Sequence, residues 1–193
     1  ITLGTSPLGD KIADWMYTKG SSIFFGSDLK VGPSDYLFAV LSVLVFDLYI
    51  YLHHRLMHEI PFIWDSHELH HSATEMTIIN NKRAAPLEST LNNIILAPLI
   101  ASSTFLSASY FEVSPIAPII GYSFYFTYSS YIHYLSHSSV KFIYPKPISL
   151  ILMSPSLHWL HHSKNPNHYN SNYGFVFTFW DKLFGSYLGE GHI

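Results

Sequence analysis

The string His-x-x-His-His occurs twice in this chain, as His67-Glu68-Leu69-His70-His71 and as His158-Trp159-Leu160-His161-His162. Two further clusters accompany it, His53-His54-Arg55-Leu56-Met57-His58 and His133-Tyr134-Leu135-Ser136-His137. The chain has 13 histidines in 193 residues; at that frequency chance would give about 0.06 such strings. The spacings are i, i+3 and i+4 throughout, and on a helix these offsets place side chains on one face, within an arc of about 100°. The pattern therefore predicts helical segments that bring several imidazoles to one point, as a metal centre requires. A lone histidine is more often a hydrogen-bonded core or surface residue, and His168 and His192 are read that way.

What surrounds the clusters is apolar. Hydrophobic residues make up 48% of the chain and charged residues 12%, about half the charged fraction of an ordinary soluble domain. Aromatics reach 17% and mean hydropathy is +0.18. These values exclude a disordered chain, a coiled coil and a basic nucleic-acid-binding domain. The absence of cysteine excludes disulfides, zinc fingers, iron–sulfur clusters and cysteine nucleophiles. The formal charge of −3 is too small to name a partner. The length is that of one domain. With no initiating Met, and no signal peptide legible in Ile1–Lys30, the sequence reads as a fragment or a trimmed domain.

Three apolar runs, Tyr36–Leu52, Leu87–Leu106 and Ile116–Leu135, approach the roughly 20 residues that cross a bilayer core. A buried core helix is the alternative for the first. The second and third form a helical hairpin turned by Ser107–Pro115. Ile148–Met153 is too short to span and is expected to be interfacial or re-entrant. The expected fold is thus all-α, an integral membrane helical bundle of about three spans with a helical cap. Arg55, Lys82, Arg83, Lys141, Lys146, Lys164 and Lys182 fall in segments 53–86 and 136–193, whereas the Ser107–Pro115 connector carries only Glu112. The positive-inside rule places the basic side, with all four histidine clusters, in the cytoplasm. Lys11, Lys19 and Lys30 precede the first run and count against that orientation.

A single zinc takes four ligands, so the clustered histidines are too many for one ion and suit two five- or six-coordinate ions. Imidazole accommodates Fe, Zn, Cu and Ni alike. The soluble di-iron bundle repeats Glu-x-x-His; here Glu68-x-x-His71 occurs once. Neutral imidazoles cancel no metal charge, so acids are expected around them, with Asp47, Asp65 and Asp181 holding Nδ1–H groups. His67-Glu68-x-x-His71 also reads as the H-E-x-x-H helix of a zinc metalloprotease, with Glu68 as general base. The second copy of the string lacks the Glu, which speaks against that alternative. A non-enzymatic metal-binding or metal-transport membrane protein is a further one. Transporters place ionisable ligands inside their spans, and here only Asp47 lies within one.

The motifs resemble those of the sterol desaturase / fatty acid hydroxylase superfamily. Asp47 to His58 resembles its opening block, an Asp and aromatics leading into H-R-x-x-H. Trp64-Asp65-Ser66-His67-Glu68-Leu69-His70-His71-Ser72 resembles its W-x-x-H-x-x-H-H-S block, and Asn80, Arg83 and Glu88 fit the polar stretch that follows. The final block comprises His158 to His162, Asn172-Tyr173-Gly174 and Trp180-Asp181-Lys182-Leu183-Phe184-Gly185-Ser186-Tyr187. The resemblance covers roughly 47–189. It implies a lead-in at 1–34, a catalytic domain at 35–189 and a tail at 190–193. It further implies a membrane enzyme, an oxidoreductase with a histidine-bound di-metal site under a cytosolic cap, that uses O₂ to hydroxylate or desaturate a sterol, fatty acyl or related lipid. By motif position the ligands would be His54, His58, His67, His70, His71, His133, His137, His158, His161 and His162. His53 is an alternative to His54, which is preferred because Arg55 follows it. Asn172, Tyr173, Gly174 and Asp181 would support the cap and the site. The cofactors implied are two Fe ions, replaceable by Zn in purified protein, and O₂. An external electron donor, a b-type cytochrome or ferredoxin, is implied because no haem, flavin or Rossmann motif is present. Residence would be the endoplasmic reticulum in a eukaryote or the inner membrane in a bacterium.

Overall fold

The computed structural model describes residues 31–111, 113–114 and 116–192. The expected lead-in before residue 31, with Lys11, Lys19 and Lys30, and the connector residue Glu112 lie outside the described residues. Within them the protein is helical: α1 (Pro33–Glu59), α2 (Pro61–His71), α3 (Pro86–Tyr110), α4 (Ile116–Ser136), α5 (Lys146–Ser149), α6 (Pro155–His161) and α7 (Phe179–Phe184). Short 3₁₀ turns lie at Ile78–Lys82, Pro166–His168 and Glu190–His192. The strand content among the described residues is one isolated bridge, Leu152 to Phe177.

Two helices among the described residues are long and apolar enough to cross a membrane, Pro33–Glu59 and Pro86–Leu106. The most apolar stretch of α1 has mean hydropathy 1.8, yet only 22% of it is buried. A core helix of a soluble protein would be mostly covered. Here Leu37, Val40, Leu41, Val45, Leu52 and Leu56 are exposed, as an apolar solvent requires. The fold is that of a helical membrane protein. The third expected crossing forms a helix of 21 residues, α4, but is not among the helices apolar enough to span. Tyr122, Tyr125, Tyr128, Tyr131 and Tyr134 recur along it at every third position and dilute its apolar character. The hairpin connector is shorter than expected, because α3 continues to Tyr110.

The chain divides into two compact units, Ile1–Val43 with Leu96–Phe124 and Leu44–Ile95 with Tyr125–Ile193. In the first, the Asp35 carboxylate in the opening turn of α1 accepts from the Gly32 N–H at 2.7 Å and the Ser114 N–H at 2.6 Å. An anion there also suits the positive end of the helix. Tyr122 donates to Ser103 Oγ at 2.7 Å. Gly121 lets α4 approach α1, since a Cβ at this position would lie 2.7 Å from the Ala39 carbonyl oxygen.

The second unit holds all four histidine clusters. Helix α2 starts on Pro61, whose missing N–H costs nothing in a first turn, and carries the second cluster to its last residue. Helix α6 has Ser154 as its N-cap, accepting from the Leu157 N–H, with Pro155 next; this pairing fits the preferences of helix starts. Helix α7 ends at Gly185 with φ 77°, a left-handed C-terminal residue that glycine adopts without strain. The segment around Ile148–Met153 is one helical turn, α5, followed by the bridge to Phe177.

Candidate metal centre

Every histidine of the expected ligand set is drawn into one buried cluster. His54 and His58 come from the end of α1, His67, His70 and His71 from α2, His133 and His137 from the end of α4, and His158, His161 and His162 from α6 and its C-cap. Nine of them sort into two groups, within each of which one ring nitrogen from every histidine lies within 4.8 Å of the others. The first is His54, His58, His67, His71 and His161; the second is His70, His137, His158 and His162. His133 flanks the second, its ring centroid 4.5 Å from that of His137 and 4.8 Å from that of His158. The two groups adjoin, with the rings of His71 and His162 stacked at 4.1 Å. His53 stands outside both groups and packs on Tyr49.

The sorting explains the repeated string. In the α2 copy the first and last histidines, His67 and His71, enter the first group and His70 enters the second. In the α6 copy the roles exchange: His158 and His162 enter the second group and His161 the first. On a helix of 3.6 residues per turn, i+4 lies about 40° to one side of i and i+3 about 60° to the other. A triplet therefore fans its rings toward two neighbouring points, and two such triplets serve two points reciprocally.

Hydrogen bonds set the tautomers. His54 Nδ1 meets the Tyr173 carbonyl at 2.9 Å, His70 Nδ1 that of Arg83 at 3.1 Å, His137 Nδ1 that of His133 at 2.8 Å, and His161 Nδ1 that of Ser171 at 2.7 Å. His67 Nδ1 meets the buried Glu88 carboxylate at 3.1 Å. A carbonyl or carboxylate only accepts, so each of these Nδ1 atoms carries the proton and each Nε2 keeps its lone pair. In the first group Nε2 of His58, His67, His71 and His161 is buried without a hydrogen-bond partner. In the second, Nε2 of His70 and His137 face each other at 3.1 Å. Two lone pairs at that separation repel unless a cation lies beside them. Burial, reinforced by neighbouring imidazoles, lowers His70 to about 3, and burial lowers His161 to about 3; His71, His158 and His162 are driven down in the same direction. The cluster is thus a set of neutral donors aimed at two points, the donor chemistry that a transition metal takes.

The expected carboxylate partners are a correction. None of Asp47, Asp65 and Asp181 is hydrogen-bonded to an imidazole among the described residues. Asp47 accepts from Tyr125 Oη at 2.6 Å, the N–H groups of Val176 and Phe177 at 3.1 and 3.3 Å, and Trp180 Nε1 at 3.0 Å. It ties the 176–180 segment to α1. Asp181, raised to about 6 by burial against the pull of its donors, accepts from the N–H groups of Tyr173 and Gly174, both at 2.8 Å, and from Ser186 Oγ at 2.7 Å. It reaches the site through one peptide, since the Tyr173 carbonyl orients His54. Asp65 is exposed. Asn172, at φ 56°, bonds the backbone of Leu157 and Leu188.

The partners that do orient the rings are a carboxylate distant in sequence, Glu88, and main-chain carbonyls. Glu88 was legible as part of the polar stretch after the second histidine block and as the single charged residue of α3. The carbonyls carried none. Lys164 donates to the His71 carbonyl, a cation on the last turn of α2 where the helix dipole favours one. A cleft of about 410 Å³ opens onto the first group, lined by His58, His71 and His161 with Trp64, Glu68, Lys164 and Tyr169.

An all-helical membrane protein with two adjoining pockets of neutral imidazole describes a histidine-box metalloprotein. The sequence matches the fatty acid hydroxylase family over residues 39–186, and the chain belongs to that family. An alkylglycerol monooxygenase of Caenorhabditis elegans is 31% identical over 149 residues, covering 76% of this chain and 26% of that protein. The human alkylglycerol monooxygenase is 29% identical over 144 residues, 75% of this chain and 29% of that protein. The ornithine lipid hydroxylase OlsE of Rhizobium tropici is 31% identical over 148 residues, 77% of this chain and 41% of that protein. The chain thus spans less than half the length of these relatives. No solved structure matches it.

Proposed function

We propose that this chain is the metal-binding catalytic domain of a membrane-bound, O₂-dependent lipid hydroxylase. The observation that carries the reading is the pair of adjoining histidine groups, one with four buried Nε2 atoms that lack partners and the other with Nε2 atoms facing one another at 3.1 Å. The two groups would hold one iron each, with His133 completing the second, and zinc could replace iron in purified protein. Iron bound there would supply the reductive activation of O₂ and the oxidation of a lipid C–H bond. The net reaction, R–H + O₂ + 2e⁻ + 2H⁺ → R–OH + H₂O, needs two electrons from a separate carrier, a b-type cytochrome or ferredoxin. The relatives named as alkylglycerol monooxygenase and ornithine lipid hydroxylase support a lipid as substrate.

The chain's own residues prepare the site. Arg83, Ser171 and Tyr173 carbonyls and Glu88 lock the imidazoles with Nε2 inward, so that little reorganisation accompanies binding. Pro61 and Trp64 give the cleft an apolar wall, which keeps water from the reacting carbon. The basic residues of 53–86 and 136–193 favour a cytoplasmic position for the cluster, at the endoplasmic reticulum of a eukaryote or the inner membrane of a bacterium.

The test is expression of the full-length protein in a host supplied with alkylglycerols, acyl lipids or sterols under ¹⁸O₂. Gain of one labelled oxygen in a lipid is the expected result; an iron-loaded protein that alters none of these classes overturns the proposal. Glu68→Gln separates the reading from a metalloprotease. The proposed hydroxylase retains activity within about threefold, because Glu68 bonds no ring of either group, whereas a protease losing its general base falls by about 10²- to 10⁴-fold.

A further inference from the structure

Between Glu112 and Asp181 the chain contains no Asp or Glu. Within that acid-free stretch, Phe142, Ile143, Ile148, Leu150 and Ile151 stand 45 to 61% exposed, and Lys141 and Lys146 are interleaved with them. Soluble surfaces rarely gather so many large apolar side chains in one short segment. Lys182 joins the same patch through a 2.7 Å bond to the Leu150 carbonyl.

The backbone fixes the depth of this segment. The Met153 N–H donates to the Val176 carbonyl at 2.8 Å and the Thr178 N–H to the Ile151 carbonyl at 2.9 Å. Val176 and Phe177 in turn donate to Asp47, which lies inside α1, about 10 Å along the helix from His54. The exposed apolar residues are thereby held near the level of the last apolar turns of a helix fit to span the bilayer. Two amphipathic aromatics mark the same boundary. Tyr144 meets the Tyr128 hydroxyl of α4 at 3.4 Å, and Lys141 Nζ sits 4.4 Å from the centre of the Trp159 ring. Tyrosine and tryptophan concentrate where headgroups meet acyl chains.

We infer that segment 140–151 is a membrane-docking surface whose occupant is the headgroup layer of an anionic leaflet. Phe142, Ile143, Leu150 and Ile151 enter the acyl boundary, while Lys141 and Lys146 reach the phosphates above it. Apolar burial fixes the segment at the interface, and Lys141 and Lys146, in a stretch without Asp or Glu from 113 to 180, select negative lipid. Each basic residue at a membrane surface raises association with anionic lipid about fivefold. The surface holds the histidine-bearing unit against the leaflet by a contact separate from the spanning helices.

The chain has no cysteine, so single-cysteine spin labels report unambiguously. Labels at Phe142→Cys, Leu150→Cys and, as an exposed reference outside the cleft, Asn167→Cys are placed in the full chain in phosphatidylcholine vesicles with and without phosphatidylglycerol. Labels at 142 and 150 are expected to collide more with O₂ than with the water-soluble relaxant Ni(II)-EDDA, and the label at 167 the reverse. Spin-labelled phosphatidylglycerol is expected to associate several-fold more than spin-labelled phosphatidylcholine, and Lys141→Gln/Lys146→Gln to bring the two close to parity. Greater exposure of 142 and 150 to Ni(II)-EDDA overturns the docking surface. Equal association of the two lipids with the unsubstituted chain overturns its preference for anionic lipid. Neither readout depends on turnover, so failure here is distinguishable from failure of the hydroxylase reading.

Discussion

Glu88 holds the proton of His67 from the first turn of α3, 21 positions along the chain. Removing it leaves the ring free to rotate and adopt the other tautomer. Glu88→Ala is expected to weaken metal binding by about 10- to 100-fold, measured by competition with a calibrated chelator. The buried imidazoles also make the metal-free protein sensitive to acid. His70 and His161 are lowered from 6.5 to about 3, chiefly by burial. Above pH 6.5 folded and unfolded chains both hold these rings neutral and they contribute nothing. Below it the unfolded chain takes up protons that the folded one refuses, so stability falls continuously as pH drops toward about 3. Denaturation of chelator-stripped protein in micelles is expected to become progressively easier from neutral pH to about pH 4. The histidines that converge were legible at this scale because i, i+3 and i+4 spacing is a direct statement about helix geometry. Their orienting partners were not, because a carbonyl is present at every residue and only the tertiary path decides which one is met. The aspartates misled for a related reason: a buried carboxylate beside a ligand block can as well gather backbone N–H groups, which Asp47 and Asp181 do.

At the scale of elements, the apolar runs located α1, α3 and α4 nearly where they stand, since burial or lipid exposure both demand long apolar helices. What hydropathy could not separate was a crossing from a Tyr-rich helix such as α4. The cap after α6 was the least legible part. It has little regular structure, and its shape comes from side chains that satisfy main-chain groups, Asp181 and Asn172 foremost. Gly174 is part of that device. A Cβ there would lie 2.7 Å from Asp181 Oδ2 and 2.9 Å from Met153 Cε, and the backbone cannot yield without breaking the Asp181 bonds. Gly174→Ala is expected to cost about 1–3 kcal/mol, as overpacking of a filled site does. Because Tyr173 carries the carbonyl that holds His54, the same change should lower occupancy of the first histidine group before the second, read as loss of one metal at limiting supply.

At the scale of the molecule, the histidine clusters and the apolar helices are one design. Positions as distant in sequence as His54, His71, His137 and His162 meet within one unit. That this unit holds two metal ions is the central proposal. Metal analysis of the purified full-length protein, by plasma mass spectrometry against amino-acid quantification, tests it most directly. The account predicts two transition-metal ions per chain, falling toward one when His161 and His71 are both replaced by alanine and the second group is left intact. A protein that binds no transition metal, or holds a single ion unaffected by loss of either group, would contradict it.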